Sequence, residues 1–81
     1  MKLKKALKVI KAKRFHVFVY PSGHVKYCRG INECLVDMFD FSRSDDGTIP
    51  FIEAIEKYKN LKVVEIIPCM SSVGIVVELN N

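Results

Sequence analysis

Residues 15–29 read FHVFVYPSGHVKYCR, and this stretch carries the strongest signal for the fold. Residues 15–20 are β-branched or aromatic except for His16, which is typical of a strand. Residues 21–24 supply Pro, Ser, Gly and His, which favour a turn, and residues 25–29 resume the strand pattern. The stretch therefore predicts a β-hairpin.

The segment before this hairpin has the pattern of an amphipathic helix. Within residues 2–13, apolar side chains recur at spacings of three and four, and lysines fall on the opposite side. After the hairpin, Asn32 can cap a short helix over residues 33–39, although residues 35–41 also alternate as in a strand. We favour the short helix at this position.

The second half of the chain repeats the order of helix and strands. Residues 42–47 form a polar loop, and Thr48 and Pro50 mark the entry to a helix that ends at Asn60. Residues 61–67 and 75–79 are strand candidates joined by a loop. The apolar stripe predicted for the helix consists of Phe51, Ile52, Ile55 and Tyr58.

Length and composition indicate one small globular domain over residues 1–81. The chain has 81 residues, of which 49% are hydrophobic and 27% charged, so it can bury one modest core. The predicted order is helix, hairpin, short helix, helix and hairpin. We therefore expect an α+β fold with a mainly antiparallel sheet of about four strands and helices on one face.

The charges are divided unevenly between the two parts of the chain. Residues 1–30 hold nine basic side chains and no acid, whereas the remaining residues hold four basic and nine acidic side chains. The two parts thus carry +9 and −5, which sum to the net charge of +4. This polarity is the main functional clue, because opposite patches can orient a charged partner.

The basic part supplies candidate binding residues for a polyanion or a charged partner. Lysines along a helix neutralise phosphates, and exposed aromatic rings beside cations stack on single-stranded bases. The alternatives are a solvated helix face and aromatic rings that belong to the core, and the sheet face that the helices cover distinguishes them. The candidates are Lys4, Lys5, Lys8, Lys11, Lys13 and Arg14 in the first segment, and His16, Phe18, Tyr20, Lys26, Tyr27 and Arg29 in the hairpin.

The acidic part suggests a partner surface at Asp45, Asp46, Glu53 and Glu56. Nine carboxylates are of little use to a protein that binds only nucleic acid. We therefore expect a non-catalytic interaction module, a small inhibitor or adaptor that docks on a protein or nucleoprotein; by analogy, regulators of phages and mobile elements have this size. Direct nucleic-acid binding is the alternative, and homodimerisation is also compatible with the opposite charges.

The central loop resembles a calcium-binding EF-hand loop. Ser44 and Asp46 take its third and fifth positions, Gly47 the sixth, Ile49 the eighth and Glu53 the twelfth. The resemblance implies a calcium site between two helices and makes a calcium-binding protein a remote alternative. It departs at the first position, where Ser42 replaces the aspartate, and at the ninth, where proline stands. A turn that opens a helix explains the same residues.

The remaining motifs do not point to catalysis, a cofactor or a membrane. Cys28, Cys34 and Cys69 are an odd number without CxxC spacing, which favours free thiols in a reducing cytoplasm and argues against a zinc site. No phosphate-binding glycine loop and no hydrolase motif occurs. The longest uncharged run is residues 66–77, which is too short to span a bilayer. We expect no enzyme activity.

Overall fold

Within residues 1–23 and 34–80, which the computed structural model describes, two short helices and four strands form an α+β arrangement. The predicted second hairpin strand, residues 25–29, lies outside the described residues. In chain order the elements are α1 (Leu3–Val9), β1 (Arg14–Tyr20), β2 (Asp37–Ser42), α2 (Glu53–Tyr58), β3 (Lys62–Pro68) and β4 (Ser72–Glu78).

The four strands form one mixed sheet in the order β2-β1-β4-β3. β1 pairs antiparallel with β2 and β3 pairs antiparallel with β4, but the central pair β1–β4 is parallel. The expectation of a mainly antiparallel sheet is thus correct for the outer pairs and wrong for the centre. Both edges of β1 are occupied by β2 and β4, so the expectation that β1 pairs within a hairpin formed by residues 15–29 is wrong. β1 and β4 carry nearly continuous apolar runs, which suit strands buried on both faces, and this requirement brings them together.

The main core lies on one face of the sheet and contains buried side chains from both helices. Phe15, Val17 and Val19 of β1 alternate toward this face, where Ile75 and Val77 of β4 join them. A smaller cluster on the opposite face consists of Phe18, Tyr20 and Val76, with Leu35 packed against it. The buried partners from the rest of the main core are Leu3, Ala6, Leu7, Phe41, Ile55, Tyr58 and Leu61.

The short helix expected over residues 33–39 is wrong, because β2 occupies this part of the chain. The period-two alternation prevails: Phe39 and Phe41 face the core while Met38 and Asp40 are exposed. The Phe41 ring stacks on Phe15 with centroids 5.1 Å apart. Burying two aromatic rings on one side outweighs the capping signal at Asn32.

The two helices are shorter than the sequence predicts. α1 spans seven residues of the predicted 2–13. α2 begins at Glu53, so Phe51 precedes it and is 83% exposed, and its predicted place in the apolar stripe is wrong. Ile55 and Tyr58 do form the buried stripe of α2.

The backbone N–H groups at the start of α1 are satisfied by the segment that follows α2. The Leu3 N–H donates to the Leu61 carbonyl and the Lys4 N–H donates to the Lys59 carbonyl, both at 2.9 Å. These contacts replace a side-chain N-cap, which Lys2 does not provide. The start of α1 is thereby fixed beside the end of α2.

Candidate functional site

The lysines of α1 form an exposed basic surface. Leu3, Ala6 and Leu7 turn into the core, so Lys4, Lys5 and Lys8 project from the opposite side. We call these three residues the lysine face. No carboxylate of the described residues lies within salt-bridge distance of any of them. Their charge is therefore available to an external anion.

The fold extends this basic surface with a residue from the acidic part of the chain. Lys2 forms an antiparallel bridge with Lys62, and both line an open groove of about 620 Å³ with Asn60 and Asn80. Glu78 is the neighbour of Lys62 on β4. Sequence patterns do not predict this contact, because the two lysines are sixty positions apart.

The exposed side of α2 is acidic. Glu53 and Glu56 line an open groove of about 670 Å³ together with Asp37, Ala54 and Lys57. At the end of the helix the Lys59 ammonium lies 3.0 Å from the Glu56 carboxylate. Since the Lys59 carbonyl also accepts the Lys4 N–H, the basic and acidic helices meet at this point.

Elsewhere the two charged parts of the chain are interleaved by side-chain contacts. Lys13 contacts Asp45 in the central loop, and a hydrogen bond and the charge of its ammonium hold the pKa of that carboxyl below its usual value. On the sheet face opposite the helices, His16 Nδ1 lies 2.7 Å from Asp40 Oδ1. Lys13 and Asp45, predicted for separate surfaces, are therefore neighbours.

The central loop is a turn stabilised by its own side chains. Asp46 accepts hydrogen bonds from the hydroxyl and the backbone N–H of Thr48, which lower the pKa of its carboxyl. Gly47 adopts φ +90°, a conformation that favours glycine. The incoming element is the strand β2, so the helix–loop–helix arrangement implied by the EF-hand resemblance is wrong. Among the described residues, no three His, Cys, Asp or Glu side chains are grouped for a metal ion.

Arg43 has a structural role that the sequence did not indicate. Its guanidinium donates to the carbonyls of Leu7 at 2.8 Å and Ile10 at 2.6 Å, which end α1. It also donates to the Ala12 and Gly47 carbonyls and lies 5.3 Å from the centre of the Phe15 ring. Every residue has a backbone carbonyl, so the sequence does not indicate which carbonyls bind an arginine, and this role is visible only in the structure.

The hairpin side chains His16, Phe18 and Tyr20 lie on the sheet face opposite the helices, but the two rings are not exposed there. Arg14 is exposed and His16 is half-buried, but the exposed fractions of Phe18 and Tyr20 are only 8% and 7%. These rings offer little surface on which a base can stack. The other predicted members, Lys26, Tyr27 and Arg29, lie outside the described residues.

Comparison with known proteins adds no assignment. The chain matches no protein-family model, no curated protein and no solved structure. The described helices, of seven and six residues, are too short to cross a bilayer. The charged surfaces around α1 and α2 consequently carry the functional argument.

Proposed function

We propose that this protein is a non-catalytic interaction module, a small inhibitor or adaptor, that docks on a protein or nucleoprotein through adjoining basic and acidic surfaces. The carrying observation is that α1 presents Lys4, Lys5 and Lys8 beside α2, which presents Glu53 and Glu56. Charge patterns of this kind steer association and fix the orientation of the partner.

The acidic helix favours a partner with patches of both signs. A uniform polyanion attracted to the lysine face also approaches Glu53 and Glu56, whose carboxylates repel it. A protein surface with an acidic and a basic patch gains from both helices. Cys34 and Cys69 are exposed free thiols, which supports placing the module in the reducing cytoplasm.

Direct nucleic-acid binding is the second candidate. The observation that favours it is the lysine face, which has no carboxylate partner among the described residues. Phosphate contacts from lysines need no specific partner geometry. The burial of Phe18 and Tyr20 counts against base stacking, which leaves electrostatic contact with the backbone as the mode of binding.

Charge reversal on each helix distinguishes these two candidates. One variant carries K4E, K5E and K8E, and a second carries E53K and E56K. The control is Arg14→Glu: Arg14 is a candidate from the sequence, but it lies on the sheet face opposite both helices and so outside the proposed docking surface. Proteins captured from the native host are quantified for each variant, with and without nuclease treatment. The proposal predicts that both helix variants lose the same partner, that R14E retains it, and that nuclease does not release it.

An oligonucleotide titration at low and moderate salt completes the test. The nucleic-acid candidate predicts an affinity that falls steeply with salt, is abolished on the lysine variant and increases on the glutamate variant. That pattern, or a captured partner that is indifferent to E53K and E56K, contradicts the docking proposal. All substituted side chains are exposed, so the variants are expected to fold. K8E in the last turn of α1 and E53K and E56K in the first turn of α2 oppose the helix dipole, a small cost that circular dichroism checks.

A further inference from the structure

The exposed apolar side chains concentrate at one edge of the sheet. Val64, Ile66 and Ile67 of β3 are 37%, 41% and 38% exposed, and Met70 in the following loop is fully exposed. Met1, 60% exposed, lies beside the same edge. Ile66 and Ile67 pair with Ile75 and Gly74 and therefore lie on opposite faces of the sheet, so β3 exposes apolar side chains on both faces. Exposed apolar groups gathered along one edge of a small protein are a common mark of an interaction surface.

The backbone at this edge is half covered. The N-terminal segment lies along its beginning, where the Val63 N–H donates to the Met1 carbonyl at 2.8 Å and Lys2 bridges Lys62. From Val64 to Pro68, β3 has a strand on its inner side, β4, and no described strand on its outer side. An open edge of this kind is a template for another strand.

We propose that the open edge, Val64–Pro68, pairs antiparallel with the same segment of a second copy of the chain. The open segment has five residues and is centred on Ile66. A twofold axis at Ile66 places the two Ile66 side chains opposite each other, Glu65 opposite Ile67 of the copy, and Val64 opposite Pro68 of the copy. The two sheets then join into one of eight described strands.

Three features of the segment favour a second copy over another extended chain. Self-pairing in this register puts each apolar side chain against an apolar one or against Glu65, and it sets no like charges directly opposite. The register shift between Val63 and Glu65 and the missing N–H of Pro68 leave a short regular stretch centred on Ile66, and a second copy offers a stretch of the same length. In this register the loop with Met70 lies beside the beginning of β3 in the copy, where Met1 is also exposed, so exposed apolar groups lie near the interface on both sides of the axis.

Sedimentation velocity over a concentration series tests the dimer with a matched pair of variants. Ile66→Lys places two ammonium groups at the axis and is expected to weaken dimerisation at least about tenfold. Met38→Lys, at a side chain 49% exposed on the opposite edge strand β2, is the control and should leave dimerisation unchanged. Both side chains are well exposed, so both variants should fold, which circular dichroism verifies.

Disulfide trapping tests the register. In a background with the native cysteines changed to serine, Ile66→Cys brings two thiols to an opposed position, where the Cα atoms of paired strands lie about 4.5–5.5 Å apart. Glu65→Cys is the control, since its thiols are diagonal neighbours about 7–8 Å apart. Oxidation should give a covalent dimer for I66C and little for E65C.

Several results overturn the proposal. A protein that stays monomeric up to about 1 mM, a concentration that reveals weak interfaces, excludes the dimer. Equal weakening by I66K and M38K, or equal crosslinking of I66C and E65C, excludes this edge or this register. The test is independent of the charged helices, because their variants leave the β3 edge intact.

Discussion

Replacing Arg43 by alanine tests the central structural contact of the fold. The substitution removes four hydrogen bonds from one guanidinium to backbone carbonyls, at 2.6 to 3.3 Å, and the contact with the Phe15 ring. Two of these carbonyls, of Leu7 and Ile10, lie at the end of α1 and lose the group that joins them to the central loop.

The expected cost is about 2–4 kcal/mol. A hydrogen bond from a charged group contributes about 1.5–3 kcal/mol, and a cation above a ring about 0.5–1 kcal/mol. The four hydrogen bonds do not add, because Arg43 is only half-buried and water reaches some of the freed carbonyls. At about 0.05–0.15 kcal/mol per residue the whole domain has roughly 4–12 kcal/mol of stability, so this loss is a large fraction.

Urea unfolding followed by far-UV circular dichroism measures the effect. A loss of this size lowers Tm by roughly 8–30 °C in a domain of this length. Arg43→Lys keeps the charge, but one ammonium lacks the planar fork of donors, so we expect about half of the effect. Arg14→Ala, at an exposed arginine, is the control and should change stability by less than about 0.5 kcal/mol. If R43A or R43K is as stable as the control, the assigned role of Arg43 is wrong.

Three further predictions test separate parts of the structure. Lys13→Met should raise the pKa of Asp45 toward its usual value in a carboxyl NMR titration. Because the pKa of Asp45 is lowered in the folded state, the small contribution of this pair to stability is present near neutral pH and is lost as pH falls through that pKa. Gly74→Ala should destabilise by about 1–3 kcal/mol, because a Cβ there meets Phe18 Cε2 at 3.2 Å, and a smaller side chain at 18 should reduce this cost in a double-mutant cycle. Phe51→Ser should change the free energy of unfolding by less than about 0.5 kcal/mol, whereas an alanine at the buried isoleucine of α2 should cost about 2–5 kcal/mol; equal effects would contradict the observed start of α2.

The sequence was informative where local pattern and burial agree. β1 was recognisable because six consecutive residues, with one exception, suit a strand that is buried on both faces. Its partners were not recognisable. β4 lies 58 positions further along the chain, and its parallel pairing with β1 depends on which strands need a central position, a property of the whole chain. At β2 the alternation of Phe39 and Phe41 was the informative signal, and the capping residue was misleading.

In the candidate site, too, local patterns were predictable and contacts between distant segments were not. Helical spacing was enough to predict the lysine face. The neighbouring Lys2 and Lys62, and the pair Lys13–Asp45, depend on contacts between distant segments, and no spacing in the sequence predicts them. For Arg43 the decisive partners are backbone carbonyls, which every residue possesses.

Segments that follow α1 in the chain satisfy the hydrogen-bonding groups at both of its ends, which has a consequence for the order of folding. Its first N–H groups need the carbonyls of Lys59 and Leu61, and its last carbonyls need Arg43. A seven-residue helix does not persist alone in water, so α1 is completed only after these later segments of the chain are in place. Contacts between residues that are distant in sequence form slowly, so we expect the lysine face to take its arrangement late in folding. A nascent or unfolded chain carries the same charges without their arrangement, and a partner that recognises the arrangement therefore selects the finished protein.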